Sequence, residues 1–243
     1  MSRPKINRTP ILRPYLNKAS VISTPIKATQ IEISDSSLMM GVFLSIRREN
    51  PAVGIDLKLN DRKVDVIEEE FDVALRIGHL KSSSLIAKHI TPIRMVICAE
   101  PSYLEKYGTP THPNDLIPEH HLRYSYMDYN QYQSPLMEAL KNHKHRQGEA
   151  GLTCDNGEVL VASAIAGEGY VLQPTFIVGE AIKQGKLRIF LQGFEPEPMA
   201  LYAVYPHRKY MATKLRAFVD FSANYFGKPP YWDEFCTTYN GSA

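Results

Sequence analysis

The residues that could do chemistry fall into three groups: paired histidines, three cysteines, and a nearly uncharged stretch that opens Asp155-Asn156-Gly157. The histidines sit in Glu119-His120-His121 and in His143-Lys144-His145, both within polar loop-like sequence. A structural or catalytic zinc needs three or four protein donors at short, regular spacing, and neither cluster offers a further spaced ligand. Solvated loop histidines are the expectation, and no metal ligand is assigned. Cys98, Cys154 and Cys236 show no paired spacing and read as spectators in a reducing compartment. No G-x-S-x-G, H-E-x-x-H or familiar Cys–His spacing occurs. No catalytic residue and no cofactor are assigned, and the chain is not read as an enzyme.

The third group is more informative. In CDNGEVLVASAIAGEGYVLQPTF, residues 154–176, a polar entrance leads into an apolar helix, then Gly167 and Gly169, an apolar strand, and Pro174. The first N–H groups of a helix have no partner within it, so such an entrance favours an anion or a polar carbonyl. Gly167 and Gly169 suit a left-handed stop. A buried helix with ordinary caps fits the same letters and is the commoner arrangement.

These residues need elements to hold them. TQIEIS (29–34) alternates Ile31 and Ile33 as a strand does, and SSLMMGVFLSIRREN sets Leu38, Met39, Val42, Phe43 and Ile46 at helical spacing. VGIDLKL reads as a strand, DRKVDVIEEEF as a helix and DVALRIG as a strand. This β-α-β-α-β alternation predicts an α/β fold with helices packed on a parallel sheet. Further on, PIRMVICAE reads as one long apolar strand and Pro101 opens a helix that Gly108 ends. LRYSYMDY and GLTC read as strands, PTFIVGEAIKQG as a helix, KLRIFL and MALYAVYP as strands, and MATKLRAFVDFSANYF as a closing helix. Residues 130–150 carry no clear periodicity.

Composition bounds the rest. A chain of 243 residues, 44% hydrophobic and 22% charged, can bury a substantial core. Its net charge of +2 carries no nucleic-acid signature, and no apolar run is long enough to span a bilayer. Residues 1–28 hold Arg3, Lys5, Arg8, Arg13, Lys18 and Lys27 and no acid, and their prolines oppose a helix. They read as a basic, loosely attached arm without a secretory core.

The run LKLNDRKVDVIEEEFDVALRIGHLKSSSLIAKHITPIRMVICAEPSYLEKYGTPTHPNDL is similar to the effector-binding region of LysR-type transcriptional regulators. NGEVLVASAIAGEGYVLQPTFIVGEAIKQGKL resembles that family's N-x-x-x-L-x-x-A-x-x-G-x-G block, and YPHRKYMATKLRAFVDF resembles its closing helix. The resemblance covers roughly residues 50–226. It implies a fold like the type 2 periplasmic binding proteins, two α/β subdomains joined by two crossover strands around a small-molecule cleft. One lobe would comprise about 29–98 and 205–226, the other about 99–204, with 227–243 a tail.

The resemblance implies ligand contacts at Ser34 and Ser36 after the first strand, Asn60 after the second, and Arg76, Gly78 and His79 at the end of the third. From the other lobe it implies Asn156, Gln173, Pro174 and Phe176. Arg76 suits a carboxylate, and an exposed strand-end arginine reads the same way. His79 suits a pH-sensitive contact or a solvated loop. Asn60-Asp61 is also a cap for the next helix. The implied partner is a small organic effector, anionic or aromatic, bound in the cytoplasm. The implied assembly is a homo-oligomer, or a mixed dimer with a full-length family member.

Two departures stand out. The family carries more residues between its first strand and helix, where this chain has only Asp35-Ser36-Ser37. No segment of residues 1–28 reads as the family's winged helix-turn-helix, so DNA is expected to be reached only through a missing domain. A stand-alone solute-binding protein of the same fold, or a truncated relic that binds no DNA, is the alternative expectation.

Overall fold

The computed structural model describes residues 26–31, 36–49, 55–58, 72–78, 85–143, 151–206 and 213–233. Its strands form two five-stranded sheets. The first has the order β2-β1-β3-β10-β4, built from β1 (Ile26–Ile31), β2 (Ile55–Lys58), β3 (Val73–Gly78), β4 (Leu85–Ile93) and β10 (Met199–Pro206). β1 runs parallel to β2 and β3, and β10 runs antiparallel to both β3 and β4. The second has the order β7-β6-β8-β5-β9, built from β5 (Met95–Ala99), β6 (His121–Tyr124), β7 (Thr153–Cys154), β8 (Tyr170–Pro174) and β9 (Arg188–Ile189). β6 is parallel to β7 and β8, whereas β5 is antiparallel to β8 and β9.

The chain therefore changes sheets twice. It leaves the first at Arg94, the single residue between β4 and β5, and returns between Ile189 and Met199. The expected single strand PIRMVICAE is two strands in two sheets. β4, which extends back to Leu85, has no uniform apolar pattern and alternates exposed with buried positions. β10 lies wholly in the first sheet and β5 wholly in the second, so the changeovers fall a few residues before the expected boundaries near 98 and 205.

Helix α1 (Ser36–Glu49) turns Val42, Phe43 and Ile46 inward, and Phe43 stacks on Phe218 with ring centroids 6.0 Å apart. Phe218 belongs to the last helix, α6 (Thr213–Phe226), which is anchored to the sheet edge by an ion pair between Lys88 on β4 and Asp220. In the second half, α2 (Pro101–Tyr107) starts on the Glu100 cap, α4 (Gly157–Ile165) follows β7, and α5 (Thr175–Lys183) follows β8 without a loop. α3 (Pro135–His143) lies where the sequence showed no clear period, and it buries Leu136, Met137, Ala139 and Leu140.

Side chains alternate across β5: Met95, Ile97 and Ala99 join the large core, while Val96 and Cys98 join a smaller cluster with Leu160 of α4 and Val178 of α5. Burying a side chain of this size stabilises by about 1.5–3 kcal/mol. The large core also contains Val73, Leu75, Leu201 and Ala203 of the first sheet, so one apolar interior runs beneath both sheets.

Three expectations need correction. The first strand is described from Ile26, so Ile26, Lys27 and Ala28 of the supposed arm pair with Ile55, Asp56 and Leu57. LRYSYMDY is strand only as far as Tyr124, and KLRIFL only at Arg188–Ile189. The supposed tail folds back: after Gly227 (φ 81°) a 3-10 turn, Tyr231–Asp233, buries Trp232 and Asp233. The expected helix 61–71 lies outside the described residues.

Candidate functional site

The uncharged stretch becomes a capped helix between two strands of one sheet. Asn156 has extended backbone angles (φ −117°, ψ 117°), and its Oδ1 accepts from the Val159 N–H at 3.1 Å. That satisfies one of the donors a helix start leaves over. The Asn156 N–H itself donates to Cys154 Sγ at 3.4 Å. At the far end Gly167 (φ 81°) takes the left-handed conformation, with its N–H on Ala164 O and the Glu168 N–H on Ser163 O. This is the expected glycine stop. Gly169 then passes directly over the carbonyl of His120, where any Cβ would collide with backbone.

Gln173 on β8 lies under the first turn of α4. It pairs with Val96 of β5 and is 3% exposed. Its Oε1 stands 3.2 Å from where a Cβ on Gly157 would lie, and its Nε2 has no hydrogen-bond partner among the described residues. A buried amide donor left unmatched costs about 1–3 kcal/mol. Asn156, Gly157 and Gln173 thus form one compact polar unit at the amino end of α4. Pro174 ends β8 and caps α5, pairing with Met95, and the next N–H, of Thr175, donates to Arg94 O at 2.9 Å. Phe176 is half-buried and meets Trp232 edge-on at 6.1 Å.

The other predicted residues stand on the first sheet. Arg76 is half-buried on β3, opposite Tyr202 of β10, which in turn lies opposite His89 of β4. Alternation places Arg76 on the sheet face away from Val73 and Leu75. Gly78 ends β3 with φ 145°, a value that favours glycine. Ser36 is the first residue of α1. Ser34, Asn60 and His79 lie outside the described residues.

Two polar groupings escaped the sequence reading. The first surrounds the changeover at Arg94. Arg94 Nη2 and Glu195 Oε2 are 2.9 Å apart and tie the outgoing and returning segments together. Asp233 is buried beside them. Burial raises its carboxyl above the ordinary aspartate range, opposed by the nearby Thr175 hydroxyl and the Arg94 charge. The Thr175 hydroxyl is close enough to act on that carboxyl without the geometry of a full hydrogen bond. The one sequence signal was Trp232, the only tryptophan in the chain and a residue type that is seldom left in water.

The second is aromatic. His121 is buried and stacks on Tyr170, centroids 5.4 Å and planes 5° apart, and burial holds its imidazole down at about 3. Tyr170 gives its hydroxyl to Ile117 O at 3.0 Å, and Tyr103 OH lies 2.8 Å from His120 Nδ1. The expectation of solvated loop histidines is thus corrected here: His121 is buried at the start of β6, and His120 packs against Tyr103 and Tyr107. Among the described residues no group of three His, Cys, Asp or Glu is placed to hold a metal, and no helix is long and apolar enough to cross a membrane.

Two five-stranded sheets joined by two changeovers, with a capped helix in the second, define a two-part α/β domain. Residues 28–227 match the LysR substrate binding domain, and the chain belongs to that family. An uncharacterized HTH-type transcriptional regulator of Haemophilus influenzae is 30% identical over 167 residues, 69% of this chain and 57% of that protein. The HTH-type transcriptional activator AaeR of Escherichia coli is 28% identical over 207 residues, 84% of this chain and 66% of the relative. The chain thus spans less than two thirds of the length of these relatives. Among solved structures, CrgA, a LysR-type transcriptional regulator from Neisseria meningitidis, superposes with a TM-score of 0.68 at 25% identity, covering 83% of this chain and 68% of CrgA. The CrgA regulatory domain alone gives 0.65, with 98% of it covered. The fold is that of LysR-type regulatory domains, the two-lobed α/β architecture of type 2 periplasmic binding proteins.

Proposed function

We propose that this chain is the effector-sensing part of a LysR-type transcriptional regulator, and that it responds to a small organic anion or polar aromatic held between its lobes. The observation that carries the reading is the polar unit of Asn156, Gly157 and Gln173 at the amino end of α4. The backbone N–H groups there are the anion-facing contacts. Gln173, sealed beneath them, braces the helix entrance and acts on the ligand through it. Arg76 and Gly78 on β3 form the opposing wall, with the guanidinium as the charge partner. Ser36 is assigned to the same ligand site, together with Ser34, Asn60 and His79, which lie outside the described residues, and Pro174 and Phe176 set the edge of the second lobe. Capture shifts the population of lobe angles, which alters packing between subunits.

Assembly follows from surface apolar residues. Leu44 on α1 and Val159 on α4 are both 47% exposed on opposite halves of the molecule. Side-by-side pairing of two chains, half against opposite half, would cover both, and a mixed dimer with a full-length relative would use the same faces. DNA contact is assigned to a helix-turn-helix of the kind the relatives' names record, outside the matched residues 28–227.

Thermal-shift screening of organic acids and small aromatics tests the sensor reading. Stabilisation by an anionic metabolite, lost in Arg76→Ala, is the expected result. Stabilisation only by neutral sugars or by divalent cations would overturn it.

A further inference from the structure

The two lobes are joined covalently at Arg94 and at residues 190–198, and the carboxyl-terminal turn reaches across the same junction. Trp232 is 4% exposed. Its ring meets Phe226, the last residue of α6, at 5.1 Å, and Tyr231 at 5.0 Å. It also meets Phe176, in the first turn of α5, at 6.1 Å. α6 packs against β4 of the first sheet and α5 against β8 of the second, so one indole touches elements of both lobes. The neighbouring Asp233 carboxyl is influenced by Thr175, Arg94 and Glu195, all at the changeovers. The turn that delivers these residues is tightly specified. Gly227 has φ 81°, a Cβ there would press on Pro229 O, and the Asp233 N–H closes the turn on Pro230 O at 2.8 Å.

We infer that the Tyr231–Trp232–Asp233 turn is a clasp, a non-covalent link at one end of the shared apolar interior that holds the angle between the lobes and must shift when that angle changes. The physical reason is leverage. Rotation at Arg94 and at residues 190–198 moves Phe176 relative to Phe226, and Trp232 cannot keep both contacts through that movement. Aromatic contacts of this kind favour particular edge and face geometries, so the clasp stabilises one lobe angle over its neighbours. A bound effector that prefers another angle works against it, and the clasp sets how strong an effector must be. This consequence rests on the effector-sensing reading; the clasp itself does not.

The test needs no ligand. Trp232 is the only tryptophan, so its fluorescence reports this site alone. In the full chain, Trp232 emission should be blue-shifted and shielded from acrylamide. Phe176→Ala, and more mildly Phe176→Leu, should increase quenching and speed amide exchange at Phe194 and Thr175, whose N–H groups are hydrogen-bonded at the changeovers, by about tenfold, the equivalent of one aromatic contact. Exchange at Ile97 and Leu172, in the second sheet, should stay unchanged. If quenching and changeover exchange are unaffected in both variants, the turn merely rides on the first lobe and the clasp is wrong. Equal acceleration at Ile97 and Leu172 would also overturn it, by making Trp232 ordinary core. A failed ligand screen with intact clasp behaviour would count against the effector reading alone.

Discussion

Gln173 and Gly157 fit together as lock and groove: the amide oxygen of Gln173 sits 3.2 Å from the point where a Cβ on Gly157 would begin, and Ile177 Cδ1 is equally near. Glycine at the start of α4 is therefore a matter of space, since its φ is not in the left-handed region. Gly157→Ala sets two effects against each other. Alanine gains about 1 kcal/mol of helix propensity over glycine, and crowding of Gln173 and Ile177 costs about 1–3 kcal/mol. The melting temperature should move only slightly downward. Stabilisation by any anionic ligand found in screening should fall sharply, because Gln173 no longer supports the helix entrance. An unchanged ligand response in Gly157→Ala would separate Gln173 from binding.

His121 makes the fold acid-sensitive. Its ordinary value is 6.5, and burial, with smaller contributions from the Arg123 and His143 charges, lowers it to about 3. The folded state holds the ring neutral, so the unfolded chain binds the extra proton between those limits. The stabilisation is fully present above pH 6.5 and is lost progressively as the pH falls toward 3. At about pH 5 the loss amounts to about 2 kcal/mol. His121→Phe retains a flat ring against Tyr170 and should flatten this part of the stability profile in urea titrations. A variant that loses stability with acid as steeply as the parent would assign the effect to other groups.

Gly169→Ala should be far more damaging than Gly157→Ala. The colliding atom at Gly169 is the carbonyl oxygen of His120, which is backbone next to a paired strand and cannot swing aside. Moving β6 away from β8 would open the second sheet, so the loss should reach the upper part of the overpacking range, about 3 kcal/mol. Chemical denaturation of the two variants side by side checks the order. Equal losses would mean that the sheet gives more readily than this geometry allows.

The sequence made some of this legible. MVICA read as part of a buried strand and N-G-E-V-L-V-A-S-A-I with its trailing glycines as an apolar helix, and the structure has both. The family pattern supplied the two-lobed arrangement. What stayed hidden depends on which faces meet. Leu136, Met137, Ala139 and Leu140 do lie on one helical face, but polar neighbours diluted the signal of α3. The break at Arg94 involves neither glycine nor proline, so nothing local marks the change of sheets. Gly227, Pro229 and Pro230 read as the end of structure, whereas they turn the chain so that Trp232 returns to the core. The burial of Gln173 could not be read either, because it follows from β8 facing α4.

The Arg94–Glu195 pair should matter more to the coupling of the two changeovers than to overall stability. Its side chains are 30% and 21% exposed, so water weakens the attraction without abolishing it. Exposed ion pairs contribute about 0–1 kcal/mol, and this partly shielded one should lie near the top of that range. Glu195→Gln keeps the shape and removes the charge. A double-mutant cycle with Arg94→Gln should return a coupling of about 1 kcal/mol, reduced by added salt. The same substitution removes one of the influences that raise the Asp233 carboxyl, so Asp233 should ionise at lower pH in Glu195→Gln. Carbon-detected NMR titration of the Asp233 carboxyl reads that shift directly. A coupling of zero, together with an unmoved Asp233 titration, would mean that the pair neither ties the changeovers together nor acts on the turn beside them.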